Sequence, residues 1–241
     1  MDNESIPVVI KRPLPNAVTY DLSTAGSVKI TLPESSTWSS GLHWHETHTE
    51  YLKLIRGTIR VRLGNTTRCI TATDDEQPEI RVARYEWHEW QRAAPDGPEV
   101  VVIERTEPSD NDKAVFFWNL NGVILNAPKL LSDSSSLVAR FPSRIQGLLV
   151  DFWVTLNLFV IFRNLDNVPV FLNAPDLLRS SSGVVQDVLE YVDWVVSHAI
   201  LFAASWVGWT LGVQPVQLRY TPADVYVAWW SGKGGSGKKN A

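Results

Sequence analysis

G-L-H-W-H-E-T-H-T-E-Y-L-K-L-I-R-G, residues 41 to 57, sets His43, His45 and Glu50 in a short window that closes on a glycine. His43 and His45 are two positions apart, so on a strand both side chains leave by the same face. Glu50 follows five positions after His45; a second strand beginning there, after a short bend, turns its carboxylate back toward the two imidazoles. Gly57 then supplies a tight turn before T-I-R-V-R-L at 58–63. A fourth candidate ligand, His88, lies further along. Three imidazoles and one carboxylate suit a divalent transition metal where thiolates are absent. Such a set leaves coordination positions open for water or substrate.

Outward from this window, residues 8 to 120 behave as short strands separated by turns. N-A-V-T-Y (16–20), S-V-K-I-T-L (27–32), E-Y-L-K-L-I (50–55), T-I-R-V-R-L (58–63), P-E-I-R-V (78–82) and E-V-V-V-I-E-R (99–105) alternate or are rich in β-branched residues. Gly57, G-N at 64–65, the acidic loop at 73–78 and P-D-G-P at 95–98 punctuate them. This pattern predicts a small antiparallel barrel or sandwich. After residue 120 the period changes. Polar connectors at 128–137 and 177–183 each precede an apolar stretch, and the spacing of Leu148, Leu149, Phe152, Trp153, Leu156, Phe159 and Val160 is helical. The second stretch, Val195 to Leu218, holds no Asp, Glu, Lys or Arg. The expected organisation is a β domain at 1–120, an apolar helical extension at 121–230 and a flexible basic tail at 231–241. That tail is an imperfect phosphate loop, because Lys239 stands where a Ser or Thr should hold magnesium.

Bulk properties narrow the partners. A net charge of −4 and a pI near 5.7 argue against nucleic acid, whose phosphates want a basic face. The lone cysteine, Cys69, builds neither a disulfide nor a thiolate metal site. The N-terminus shows no basic n-region or apolar h-region, so a cytoplasmic and not a secreted protein is expected. Eleven tryptophans point to aromatic pockets, interfaces or a membrane boundary.

The window at 41–57 resembles the first motif of the cupin superfamily: glycine, spacer, H-x-H, three or four residues, Glu, six residues, Gly. His43, His45, Glu50 and Gly57 match that spacing, with Gly41 closer than the pattern places its glycine. The second motif, P-x-G, two residues, His, three residues, Asn, keeps only His88. Ala83, Tyr85 and Arg92 stand at its Pro, Gly and Asn positions. The resemblance implies a mainly β fold: a cupin-type antiparallel β-barrel (double-stranded β-helix), here with a C-terminal apolar α-helical pair. It also implies a homodimer, and His43, His45, Glu50 and His88 as ligands of one divalent metal, Fe2+ favoured with Mn2+, Ni2+ or Zn2+ as alternatives. E-W-H-E-W (86–90), E-R-T-E-P (104–108), V-F-F-W-N-L-N (115–121) and L-F-V-I-F-R-N-L-D-N-V-P-V (158–170) resemble fungal single-domain cupins of specialised-metabolite gene clusters, some of them oxidoreductases.

The function so implied is a metal-dependent enzyme transforming a hydrophobic small molecule, a polyketide or terpenoid intermediate, by oxidation. The alternatives are a Lewis-acid isomerase, cyclase or decarboxylase, or a non-catalytic ligand-binding scaffold. His48 reads either as a rim histidine or, by its strand parity with Glu50, as a pocket acid or base. Trp90 and Arg84 share parity with His88; the first suits a pocket wall and the second an acidic substrate. His198 reads as a core or interface histidine with a backbone partner. The stretches 145–162 and 195–218 are long enough for membrane association, at the endoplasmic reticulum for instance, although a buried helical hairpin reads the same way.

Overall fold

The computed structural model describes residues 6–132, 140–173 and 183–236. Among these residues, eleven strands form two antiparallel sheets. The first runs in the order β1 (Val9–Arg12), β2 (Val18–Asp21), β3 (Ser27–Leu32), β10 (Val100–Glu107), β5 (Thr49–Arg56) and β8 (Glu79–Val82). The second runs β11 (Val168–Pro169), β4 (His43–Trp44), β9 (His88–Arg92), β6 (Thr58–Leu63) and β7 (Thr66–Thr71). Alternation along the strands decides which side chains turn inward. On β10 the inward set is Val100, Val102, Glu104 and Thr106; on its partner β5 it is Leu54, Leu52 and Glu50. One end of the barrel is thus apolar and the other charged, by sequence alone.

The apolar end is the core. Ile30, Leu32, Leu52, Leu54, Ile59, Val61 and Val102 are fully buried in one cluster drawn from both sheets. Each such side chain contributes roughly 1.5–3 kcal/mol through removal from water. Gly57 closes the β5–β6 turn at φ +84°, and a Cβ there would sit 2.7 Å from the Glu99 carbonyl oxygen, so no other residue fits without displacing β10.

The strands read from the sequence at 27–32, 50–55, 58–63, 78–82 and 99–105 agree with β3, β5, β6, β8 and β10 to within a residue or two. Strands β1, β4, β7 and β9 were not marked by alternation, β7 because it is exposed along most of its length. Helix α1 (Asp112–Asn126) runs straight across the expected boundary at residue 120 and packs Phe117 and Trp118 onto the barrel core. A short α2 (Lys129–Ser132) follows. The apolar pair is α3 (Ser143–Asn164) and α4 (Gly183–Thr210); they pack closely, a Cβ on Gly208 of α4 meeting Val160 of α3 at 2.7 Å.

The apolar stretch at 195–218 is not one helix. Helix α4 starts at Gly183 and stops at Thr210, where Val213 N–H bonds the Gly208 carbonyl (2.8 Å) and Gly212 N–H that of Trp209 (3.2 Å), with Gly212 left-handed at φ +72°. That double bond is a helix stop built on glycine. The tail expected from residue 231 is helical through Ser236, within α5 (Ala223–Ser236). The connectors at 128–137 and 177–183 fall largely outside the described residues.

The helical half is also part of the barrel. Strand β11 pairs with β4, Val168 opposite Trp44 and Pro169 opposite His43. On the outer face Trp44, Val168 of β11 and Leu201 of α4 form their own apolar cluster. Glu46 ties the layers further, accepting from the indoles of Trp44 (3.2 Å) and Trp194 (3.1 Å) and facing His198 Nε2 at 3.2 Å. His198 gives its other nitrogen, Nδ1, to the Trp194 carbonyl (2.9 Å).

Candidate metal centre

The charged end of the barrel gathers His43 from β4, Glu50 from β5, His88 from β9 and His45 from the β4–β5 link. Their nearest ligand atoms all lie within 4.8 Å of one another, and all four residues are buried. His43 and His88 are direct partners across the β4–β9 pair, and Glu50 stands opposite Val82 on β8 and Thr106 on β10.

Each imidazole is oriented through the same kind of contact. His43 Nδ1 bonds the Gly41 carbonyl (2.8 Å), His88 Nδ1 the Glu86 carbonyl (3.0 Å) and His45 Nδ1 the Asp166 carbonyl. A carbonyl only accepts, so each Nδ1 carries a proton; in a neutral imidazole that leaves Nε2 with a lone pair. Nε2 of His45 and of His88 are buried with no hydrogen-bond partner among the described residues. His88 Nε2 faces Glu50 Oε2 at 3.0 Å and His45 Nε2 faces Glu50 Oε1 at 3.5 Å. With the rings neutral, as metal ligands are, these are acceptors set against acceptors, an arrangement that a cation between them satisfies. Burial, with His88 and His45 as neighbours, pushes the His43 pKa well below its ordinary value, so the ring stays neutral, as a ligand must. The donor set therefore fits a divalent metal.

Two groups unforeseen from the sequence complete the surroundings. Lys113, on the first turn of α1, reaches into the barrel and bonds Glu50 Oε1, and Glu104 Oε2 at 3.0 Å. Burial alone would raise the Glu50 pKa, but the Lys113 ammonium holds it well below the usual carboxylate range. Glu104 is raised by burial despite the same ammonium, and it also accepts from Trp90 Nε1 at 2.9 Å. Burial would likewise lower Lys113, yet Glu104 and Glu50 raise it, so it remains a cation.

Asp166, at φ +51° between α3 and β11, is the second. Its carbonyl orients His45. Its carboxylate accepts the backbone N–H groups of Glu46 (2.7 Å), Thr47 (3.0 Å) and His48 (3.0 Å), and the His48 ring at Nδ1 (2.7 Å). His48 Nε2 meets Asp110 Oδ2 at 3.0 Å. Hydrogen bonds to Asp110 and then Asp166 outweigh burial and raise the His48 pKa to about 9. His48 is thus held between two carboxylates where it lines the cavity, one on each ring nitrogen.

The cavity above the centre has a volume of about 230 Å³ and is walled by Tyr20, Trp38, Phe116, Phe117, Leu120 and Phe162 around the metal ligands. Trp90 lies behind this wall, 1 % exposed, with its ring 4.8 Å from that of Trp38. Arg84 is exposed in the β8–β9 turn and does not line the cavity. The degenerate second motif still makes its turn: Tyr85 takes φ +65°, where the family pattern has glycine, and its N–H bonds the His45 carbonyl (2.7 Å). Arg92, at the Asn position, is buried and clamps the Leu32 (3.0 Å) and Pro33 (2.9 Å) carbonyls. A signal existed for one missed group: Glu104 has the same strand parity as Val100 and Val102, a charge where the core face runs.

The antiparallel strands, with His43, His45, Glu50 and His88 gathered at a polar mouth, agree with the cupin-type barrel that the sequence resembles. No protein-family profile and no curated protein sequence matches the chain. Among solved structures, KdgF from Halomonas sp. is similar at 16% identity and a TM-score of 0.34, over 47% of this chain and 96% of that one. A predicted oxalate decarboxylase from Thermotoga maritima is similar at 17% identity and 0.34, over 44% and 95%. CapF from Staphylococcus aureus is similar at 14% identity and 0.33, over 43% of this chain but only 29% of CapF.

Proposed function

We propose that this protein is a metal-dependent cupin enzyme that transforms a hydrophobic small molecule. The observation that carries the reading is the pair of orphaned, lone-pair-bearing nitrogens, His45 Nε2 and His88 Nε2, turned on Glu50. His43, His45, Glu50 and His88 would hold the ion, which when bound supplies Lewis acidity and, as iron, redox capacity. The chain's own residues do the rest. Lys113 holds Glu50 ionised, the aromatic wall binds an apolar substrate and excludes water, and Asp166 fixes the ring of His45.

Within this reading the resemblance favours an oxidoreductase of specialised metabolism using Fe2+, acting on a polyketide or terpenoid intermediate. Titration with Co(II) tests the centre directly: visible d–d bands are expected in the wild type and absent in His45→Ala. Turnover with Fe(II) but not Zn(II) then supports oxidation, whereas equal turnover with Zn(II) leaves isomerisation, cyclisation or decarboxylation.

A second reading, a carrier attached through its helices, is favoured by one observation. The most apolar stretches of α3 and α4 have mean hydropathies of 1.8 and 1.3, yet only 28% and 17% of them is buried, with Trp206 and Trp209 on the surface. Replacing His45 and His88 together by alanine separates the two. An enzyme loses turnover with its fold intact; a carrier keeps its membrane or partner association unchanged.

A further inference from the structure

Arg12, the last residue of β1, lines the same cavity as His43, His45 and Glu50. Its Nε donates to Asn121 Oδ1 at 2.6 Å, and Asn121 gives its own amide hydrogen to the Phe117 carbonyl at 2.7 Å, which fixes the amide with its oxygen toward the arginine. The guanidinium carbon lies 5.5 Å from the centre of the Tyr20 ring. Its Nη2 is buried and has no hydrogen-bond partner among the described residues.

The other cations of this cavity are matched. Lys113 lies between Glu50 and Glu104, and His48 between Asp110 and Asp166. Arg12 has no carboxylate partner among the described residues. A buried donor left unpaired is costly, and guanidinium is the side chain whose planar fork matches a carboxylate. The nearby Tyr20 hydroxyl accepts from Trp38 Nε1 at 2.9 Å, which leaves its own proton to donate. At about 230 Å³ the cavity falls below the roughly 300–1,000 Å³ of sites for drug-sized ligands.

We propose that the cavity takes a small carboxylic acid with an apolar body, its carboxylate held by Arg12 Nη2 with the Tyr20 hydroxyl and its far end directed to the His43, His45, Glu50 and His88 cluster. This names the substrate class for the function proposed above and rests on that reading. Arg12 is then the group that selects acids over neutral molecules of the same shape, while Trp38 and Phe117 grip the body.

The test is calorimetric titration of the full chain with benzoate and with benzamide, its neutral analogue, before and after loading with Zn(II). Benzoate is expected to bind the wild type at least tenfold more tightly than benzamide. Arg12→Met should lose roughly ten- to hundred-fold for benzoate, the range for a charge-assisted hydrogen bond, and leave benzamide unchanged. Arg12→Lys, which keeps the charge without the fork, should lose several-fold, and it carries the test should Arg12→Met fail to fold. Equal binding of the two probes, unaltered benzoate binding in the variants, or no binding of either probe to the wild type overturns the proposal. Zinc uptake measured on the same samples keeps the two readings apart. Arg12-dependent discrimination without zinc uptake sinks the metal and spares Arg12, and the reverse result does the opposite.

Discussion

Two histidine–carboxylate clusters share one cavity and are built to opposite rules. Around His48 every proton has an acceptor: both ring nitrogens meet carboxylates, and Asp166 also collects three backbone N–H groups. Around Glu50 the histidines spend their protons on backbone carbonyls and bring bare nitrogens to a carboxylate. The first cluster is complete as it stands and acts as a clamp, whereas the second turns acceptor atoms on one another that a metal ion would join. Residue type alone does not separate a structural histidine from a ligand; the count of satisfied protons does.

The contrast breaks most sharply at Asp166, which belongs to both clusters. Asp166→Ala leaves the His48 cation with Asp110 alone and three N–H groups without their acceptor, and a loss of roughly 3 kcal/mol is expected in urea unfolding. The variant should also bind metal roughly 10–100-fold more weakly, because the carbonyl that orients His45 moves with the turn. Next, a divalent ion at about 1,000 times its Kd should add about 4 kcal/mol to the wild type and nothing to His45→Ala/His88→Ala, read as a shift in Tm. Lys113→Met leaves the Glu50 and Glu104 carboxylates facing each other in the barrel. It should cost about 3 kcal/mol in metal-free protein and visibly less once the ion is bound, since the ion replaces the lost charge at Glu50.

The smallest effect is that of pH on the clamp. His48 has a folded-state pKa of about 9, above its ordinary value of about 6.5. Its contribution is therefore fully present below pH 6.5 and lost as the pH climbs through 9. On the order of 2 kcal/mol should disappear over that window, and His48→Gln should flatten the profile. A wild type whose stability rises through the same window would contradict the clamp.

Three of the four ligands were legible because they are local, and His88 because it is the one residue the second motif keeps. His43 on β4 and His45 in the link to β5 stand two positions apart, Glu50 follows on β5, and the H-x-H-to-Glu spacing states the rest. Of the remaining groups, only Glu104 comes from the β-rich half by parity. Lys113 and Asp166 arrive through α1 and the α3–β11 link, 63 and 118 positions from their partners Glu50 and His48. Nothing in an apolar helical period says which exposed end folds back over a barrel mouth. The same blindness divided the chain at residue 120, where α1 and β11 in fact cover and extend the barrel. Alternation likewise passed over β4 and β9, whose inward positions are histidine, tryptophan and arginine and not aliphatic.

The most direct test of the central claim, that the Glu50 cluster is a metal site and the His48 cluster is not, is mass-spectrometric metal analysis of protein purified without chelator and reconstituted with Fe(II), Mn(II), Ni(II) or Zn(II). Near-stoichiometric metal is predicted in the wild type and in His48→Gln, and none in His45→Ala. Absence of metal from the wild type after reconstitution, or full retention in His45→Ala, would contradict it.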